Sequence, residues 1–260
     1  YMQTRGKNVR DSSDLEENTE QERYFSGLAA NHGVNEGSNV DKSEVRFDLL
    51  PPPTTHKHIL ECGGGAGVYT ARLLRGGYKV TCIDLSGEAL RVNRQSARNI
   101  DRESELRTLQ GDFTKKATNL EGNFDVAVFI KVLHHFPDLT SIERALLAAF
   151  NKLRPGGVLM IFEPNGRNPL WKPLYLVQKD PVEGKSKWHY EKNLALITES
   201  NLLDSLPNGV RGEVHYHYVI PAMLFAGKSV VHNLVARLNK ALESSPLRPW
   251  ASNISVRVVK

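Results

Sequence analysis

The chain has 260 residues, of which 40% are hydrophobic, and a formal net charge of +5. No uninterrupted apolar run reaches the roughly 18 residues of a membrane span, so we expect no membrane-spanning segment. The basic residues are dispersed, and no dense basic run with interleaved aromatics predicts a nucleic-acid partner. Two cysteines are too few for a disulfide framework or a zinc site, and no secretory signal is visible. We therefore expect a reduced, cytoplasmic protein.

The N-terminal region separates into a polar stretch and two predicted helices. Residues 1–18 contain few apolar side chains and are predicted to form a flexible tail. A helix is predicted from Glu20 to Ala30, with Tyr24 on its apolar face, and a second from Asp41 to Leu50. Three prolines follow and end the second helix. We expect residues 19–53 to form a helical cover on a single domain that extends to residue 260.

The next stretch predicts a strand, a glycine-rich turn, a helix and a second strand. The strands are His58–Glu61 and Lys79–Ile83, and the helix between them is Tyr69–Leu74. Glycines permit positive φ and leave room for a ligand against the backbone. The helix N-terminus offers unpaired N–H groups. Asp84, which ends the second strand, can accept hydrogen bonds from ribose hydroxyls. This unit predicts a nucleoside-containing ligand across the ends of two parallel strands.

The glycine spacing decides which nucleoside is expected. The dinucleotide pattern G-x-G-x-x-G/A fails in both possible frames, because Val68 or Thr70 stands where a small residue is needed. The pattern present is E-x-G-x-G-x-G, starting at Glu61. It resembles motif I of the class I S-adenosylmethionine (SAM) methyltransferases. In that family the acid and the glycines surround the methionine part of the cofactor, and an acid in the position of Asp84 binds the ribose.

The following segments extend the resemblance. Ser86 is predicted to cap a helix from Gly87 to Asn99, and a third strand, Leu106–Leu109, leads to an acid, Asp112, and Phe113. This acid resembles the family residue that bonds the adenine amino group, and the phenylalanine would supply an apolar wall. The cofactor-binding residues that the resemblance implies are Tyr24, Glu61, Gly63, Gly65, Gly67, Asp84, Leu85, Asp112, Phe113 and Ile130.

Two further family signatures follow a fourth predicted strand, Phe124–Ile130. The segment KVLHHF at 131–136 resembles the stretch that passes beside the methionine end of SAM. A capping box at Thr140–Glu143 predicts a helix to Leu153. The sequence LRPGG and a fifth strand, Val158–Phe162, come next. The resemblance therefore covers roughly residues 59–164.

The regular alternation of strands and helices changes after the fifth strand. We predict a substrate lid over residues 165–197, with Trp171, Tyr175 and Trp188 shaping a pocket; the alternative is a peripheral insert whose aromatics pack on the domain. His215 and His217 could form half a metal site, but no third ligand is evident, so no metal is expected. The remaining predicted elements are a helix at Thr198–Leu206, a strand at Glu213–Ile220, a helix at Lys228–Leu242 and a strand at Asn253–Val259.

The expected fold is an α/β, Rossmann-like, doubly wound seven-stranded sheet, mostly parallel with an antiparallel last strand. N-terminal helices and a helical lid after strand five complete it. The expected function is transfer of a methyl group from SAM, leaving S-adenosylhomocysteine, to a small-molecule acceptor, with oxygen favoured over other atoms. The candidate bases are His135, His134 and His189, and Glu163 could orient the substrate.

Several alternatives remain open at this point. They are N-methylation, methylation of a peptide or carboxylate, and SAM binding without catalysis in a regulatory subunit. A nicotinamide oxidoreductase is disfavoured by the glycine spacing. The partner is expected to be a small molecule or a peptide, and the chain could be a monomer or a homodimer.

Overall fold

The computed structural model describes residue 27 and residues 45–116, 120–179, 184–221 and 229–260. The predicted tail at 1–18, the predicted helix from Glu20 to Ala30 and the cofactor candidate Tyr24 lie outside the described residues.

A single seven-stranded sheet organises the described chain. Its strand order is β3-β2-β1-β4-β5-β7-β6. Strands β1 to β5 pair in parallel, whereas β7 pairs antiparallel with both β5 and β6, which confirms the predicted fold. The strands are β1 (His58–Cys62), β2 (Lys79–Asp84), β3 (Leu106–Gln110), β4 (Phe124–Ile130), β5 (Leu153–Pro164), β6 (Gly212–His217) and β7 (Asn253–Val259).

The central strands are buried on both faces, as a parallel sheet covered by helices requires. In β4, Ala127 and Phe129 pack into the core on one face, and Val126 and Val128 pack into the core on the other. Period-2 alternation of apolar residues on both faces gives the continuous apolar run seen in the sequence. The helices on the two faces are α1 (Val68–Arg75), α2 (Gly87–Asn99), α3 (Phe113–Lys116), α4 (Leu139–Lys152), α5 (Trp171–Val177), α6 (Glu199–Asp204) and α7 (Ser229–Glu243).

Three local predictions were wrong. The helix predicted up to Leu50 is, within the described residues, only a 3-10 turn at Phe47–Leu49, because Arg46 has a non-helical backbone. The predicted capping box does not open α4: Asp138 caps it, and its Oδ1 accepts a hydrogen bond from the Ser141 N–H at 2.7 Å. The sequence LRPGG, predicted to precede strand five, instead belongs to β5, which begins at Leu153 with a register shift against β4.

The strand order reverses between the parallel neighbours β1 and β4: β2 and β3 lie on one side of β1, and β5, β7 and β6 lie on the other side of β4. In open α/β sheets, a crevice opens at the carboxyl ends of the strands at this switch point, and ligands bind there. No helix among the described residues is long and apolar enough to cross a membrane.

Candidate cofactor and acceptor site

A cavity of about 260 Å³ lies at the carboxyl ends of β1, β2 and β4, where the topology predicts a ligand crevice. The structure brings most of the residues identified in the sequence to this place. Those that line the cavity are Gly63, Gly65, Asp84, Leu85, Asp112, Phe113, Ile130 and His135. Sequence motifs from four separate strand ends therefore converge on one volume.

The glycine turn forms the side of the cavity that follows β1. The Gly63 N–H donates to the Ile83 carbonyl at 2.7 Å, which ties the turn to β2. Gly65 has φ +53°, and a Cβ on it would meet no atom within 4 Å. Since this residue lines the cavity, its bare backbone leaves open space where a ligand can approach closely.

Two residues expected to bind the cofactor stand behind the turn instead. Gly67 precedes α1 with φ +89°, and a Cβ there would clash with the side chain and backbone of Asn93. It therefore permits close packing of α1 on α2. Glu61 is 1% exposed, and its Oε2 accepts a hydrogen bond from the Thr70 hydroxyl at 2.5 Å. Neither residue lines the cavity.

Glu61 is a buried acid without a countercharge. Burial raises its pKa to about 7, the nearby Asp84 charge raises it further, and the Thr70 hydrogen bond opposes the shift. Its Oε1 has no hydrogen-bond partner among the described residues. The acid of the motif thus supports the turn from inside the protein.

Asp84 joins the glycine turn to the end of β2. Its Oδ2 accepts a hydrogen bond from the Gly65 N–H at 2.8 Å, and its Oδ1 accepts one from the Ser86 N–H at 2.9 Å. A carboxylate has about four lone-pair sites, so it can accept from several donors at once. Asp84 also lines the cavity and can accept hydrogen bonds from ribose hydroxyls there.

An apolar wall follows the ends of β3 and β4. Phe113 is 7% exposed and packs edge-to-face against Phe129, with ring centroids 5.7 Å apart. Asp112 directly precedes α3, and its Oδ1 accepts hydrogen bonds from the N–H and the hydroxyl of Thr114 at 2.9 and 2.7 Å. An acid beside an aromatic wall suits the amino group and the ring of adenine. The residues present therefore fit S-adenosylmethionine.

The turn after β4 carries two histidines in different environments. His134 is buried, and its two ring nitrogens contact different carboxylates: Nδ1 lies 2.6 Å from Glu163 Oε2, and Nε2 lies 3.1 Å from Glu191 Oε2. Burial alone would lower the pKa of His134, but the charges of Glu163 and Glu191 outweigh it and raise the pKa to about 10. His134 does not line the cavity.

His135 lines the cavity beside Phe136. Burial and the neighbouring charge of His134 lower its pKa to about 3, so its imidazole is neutral at neutral pH. The third candidate base, His189, is exposed and lies outside the cavity lining. The structure thus separates the three histidines: one faces the cavity, one is enclosed by acids and one faces solvent.

The two carboxylates that contact His134 differ in whether the sequence identified them. Glu163 ends β5, and its Oε1 accepts hydrogen bonds from the N–H groups of Val132 and Leu133 at 2.6 and 2.7 Å. It therefore contacts the histidine turn rather than the cavity. Sequence reasoning missed Glu191 entirely, because it stands in the irregular region after β5, where no motif marks it.

The aromatics of residues 165–197 do not form the expected pocket. Trp171 and Tyr175 are 3% and 6% exposed and belong to the hydrophobic core. The Trp171 indole N–H donates to the Ser252 carbonyl at 3.1 Å. Trp188 packs against the same core. Within its described part, this segment contributes no residue to the cavity lining, so the packing alternative holds for these three side chains.

Comparison with known proteins gives a consistent assignment. A family described as "Methyltransferase domain" matches residues 60–161. A ubiquinone biosynthesis O-methyltransferase from Bordetella avium (strain 197N) is 26% identical over 186 residues, which are 69% of this chain and 74% of that protein. The corresponding protein from Aeromonas salmonicida (strain A449) is 34% identical over 113 residues, which are 44% of this chain and 45% of that protein.

Solved structures agree on the fold. The S-adenosylmethionine-dependent methyltransferase SibL, in its apo form, has a TM-score of 0.52 at 18% identity over 82% of this chain and 52% of that one. The fold, the cavity and the methyltransferase domain at residues 60–161 support a class I S-adenosylmethionine-dependent methyltransferase. The similarity to methyltransferases implies S-adenosylmethionine as the cofactor.

Proposed function

We propose that this chain transfers the methyl group of S-adenosylmethionine to an oxygen atom of a small-molecule acceptor bound beside His135. The observation that carries the proposal is the position of the His135 ring in the wall of the cofactor cavity. Burial and the charge of His134 lower its pKa to about 3, which keeps the imidazole neutral. The names of the relatives, which are O-methyltransferases, support oxygen as the acceptor atom.

In this proposal the cofactor lies across the carboxyl ends of β1 and β2. Asp84 would bind the ribose, and Gly63 and Gly65 would face the methionine part. Asp112 and Phe113 would contact the adenine, with Leu85 and Ile130 completing the apolar lining. When bound, the cofactor supplies a methyl group already activated on a sulfonium. The protein then has to align the acceptor and exclude water.

His135 is the proposed contact to the acceptor. A neutral imidazole has one nitrogen that can accept a hydrogen bond, so it can orient a hydroxyl and take its proton as the methyl group arrives. The low pKa, about 3, keeps this state populated throughout the neutral range. His134 is enclosed by carboxylates and His189 faces solvent, so we propose neither of them as the base.

A carboxylate acceptor is the second candidate, and the same pKa favours it. A group with a pKa of about 3 is a weak base, whereas a carboxylate needs no deprotonation before it attacks the methyl group. His135 would then only donate a hydrogen bond that orients the acceptor.

The cofactor half of the proposal is tested by calorimetric titration with S-adenosylhomocysteine. Asp84→Ala should weaken binding by about 1–3 kcal/mol, since ribose hydroxyls lose an acceptor in the cavity wall. Asp138→Ala is the matched control, because it also removes a carboxylate that accepts a backbone N–H, but at the start of α4 and outside the cavity lining. Absence of binding by the unmodified chain, or equal weakening by both variants, would contradict the assignment.

The acceptor half is tested with labelled S-adenosylmethionine and panels of phenols, carboxylic acids and amines. Transfer to phenols should fall sharply in His135→Gln and rise with pH, because the acceptor must lose a proton. Transfer to carboxylic acids should be independent of pH above the pKa of the acid. Transfer to amines alone would refute oxygen as the acceptor atom, and tight binding without transfer would favour a non-catalytic role.

A further inference from the structure

The two ring nitrogens of His134 both face carboxylate oxygens, at 2.6 Å from Glu163 and 3.1 Å from Glu191. A neutral imidazole has one N–H and one lone pair, so in either tautomer one nitrogen would direct its lone pair at an acid oxygen. An imidazolium donates from both nitrogens and satisfies both contacts. With both acids ionised, the geometry is therefore satisfied only by a positive charge between them.

The three residues come from different parts of the fold. His134 stands in the turn after β4 and Glu163 at the end of β5. Glu191 directly precedes a 3-10 turn, Lys192–Leu196, in the region that follows β5. We name residues 184–197 the post-β5 segment. The contact of His134 with Glu191 joins this segment to the turn that carries the cavity-lining His135.

A second contact reinforces this junction. The Asn193 side-chain amide donates to the Phe136 carbonyl at 3.0 Å. Phe136 lines the cavity and directly follows His135. The post-β5 segment therefore holds the histidine turn on both sides of His135, although no residue of the segment enters the cavity lining.

The charges around His134 balance. Glu163, Glu191 and His135 face its ring, with the two imidazole centroids 4.0 Å apart. Lys187 Nζ lies 3.9 Å from the other oxygen of Glu191. Two carboxylates, one imidazolium and one ammonium give a neutral cluster with His135 uncharged. Protonating His135 as well would place two like charges in contact.

We propose that His134 is a positioning residue that, as a buried imidazolium joining Glu163 to Glu191, fastens the post-β5 segment to the turn and keeps His135 neutral in the cavity wall. The inference rests on the proposed role of His135 for its functional meaning. The junction itself can be measured without any acceptor.

The test uses nitrogen-15 spectra of the histidine rings in the 260-residue chain. The chain contains nine histidines. At pH 8.5, one of them should show both ring nitrogens protonated, since the pKa of His134 lies near 10. Glu191→Gln should lower this pKa by roughly 1–3 units, because an opposite charge in contact is lost.

Glu199→Gln is the matched control. It removes a carboxylate that lies just after the post-β5 segment in the sequence. This carboxylate accepts a hydrogen bond from the Tyr216 hydroxyl and has no contact with His134. The imidazolium signal should persist in this variant. A merely structural effect of losing a glutamate would leave the charge state of the histidine unchanged in both variants.

Hydrogen–deuterium exchange gives the second measurement. Glu191→Gln should accelerate exchange at residues 187–197 and at the 132–136 turn and leave exchange in α2 unchanged. Exchange should become about tenfold faster for each ~1.4 kcal/mol of local stability that is lost. A neutral His134 at pH 8.5 in the unmodified chain would overturn the proposal. So would a spectrum and an exchange pattern unaltered by Glu191→Gln.

A metal ion could also balance the two acids. A His134 signal that is neutral in chelator and changes only with one equivalent of Zn²⁺ would refute the imidazolium and assign the cluster to metal binding, since His134, His135 and Glu191 have ligand atoms within 4.8 Å of one another. Failure of the unmodified chain to bind S-adenosylhomocysteine would contradict the proposed function alone, because the spectra need no cofactor.

Discussion

Two buried glutamates behind the elements that line the cavity have opposite pKa shifts. Glu61, behind the glycine turn, has its pKa raised to about 7 because burial is not compensated by a positive charge. Glu191, beside the histidine turn, is also buried, yet the charge of His134 overcomes burial and lowers its pKa to about 2. Behind the glycine turn, the buried acid is thus held by a hydrogen bond to Thr70. Beside the histidine turn, the buried acids are held by ion pairs with His134.

The two sides also differ in how far apart their residues lie in the sequence. Gly65 and Asp84, which meet at 2.8 Å, belong to one strand–turn–helix–strand unit. His134 and Glu163 are 29 residues apart, and Glu191 lies further along the chain. A local unit can be recognised from its spacing, whereas a cluster of distant charges depends on the whole sheet.

The largest expected effect is the removal of the positive charge on the acceptor side. His134→Gln should lower the free energy of unfolding by about 3–5 kcal/mol at pH 6, because it leaves buried acids unpaired. His189→Gln is the control. It removes an exposed histidine of the post-β5 segment and should change stability little. If both variants lose the same free energy of unfolding in urea denaturation, the charge of His134 makes no particular contribution to stability.

The pH dependence of this difference has a definite sign. The pKa of His134 rises from its ordinary value of 6.5 to about 10 in the folded chain. The stability it contributes is therefore fully present below pH 6.5 and is lost as the pH rises through 10. The gap between the unmodified chain and His134→Gln should shrink over that interval.

The second effect separates two glycines of the turn. Gly67→Ala should lower the free energy of unfolding by about 2–4 kcal/mol, because positive φ is strained for alanine and its Cβ would clash with Asn93. Gly65→Ala carries only the backbone strain, about 1–2 kcal/mol, since its Cβ meets no atom. It should instead weaken S-adenosylhomocysteine binding. A reversed order of stabilities in denaturation would contradict this division of roles.

The third effect sharpens the contrast between the two glutamates. The pKa of Glu61 is raised from its ordinary value of 4.5 to about 7, so the stability linked to its proton is present below pH 4.5 and is lost as the pH rises through 7. Glu61→Gln should flatten the stability profile over that interval by at most about 1.4 kcal/mol per pH unit. Parallel profiles for the two proteins would mean that Glu61 is ionised throughout.

Much of the fold could be predicted from the sequence because its signals are local. The strand Phe124–Ile130 and the helix Gly87–Asn99 have the predicted bounds, since a continuous apolar run and a serine cap suffice to define them. The wrong start of α4 had a local cause as well, because two possible caps, Asp138 and Thr140, compete within one turn. Neighbouring side chains could not decide between them.

The sequence by itself determined the order of the elements, the resemblance to the methyltransferases and the positions of Gly65 and Asp84, because these depend on local spacing such as that within one βαβ unit. Only the tertiary structure decided that Glu61 and Gly67 stand behind the turn, that His135 rather than His134 lines the cavity, and that Glu191 contacts His134. Burial and charge pairing are properties of the assembled sheet, and adjacent residues such as these two histidines acquire opposite pKa shifts only when distant acids pack against one of them.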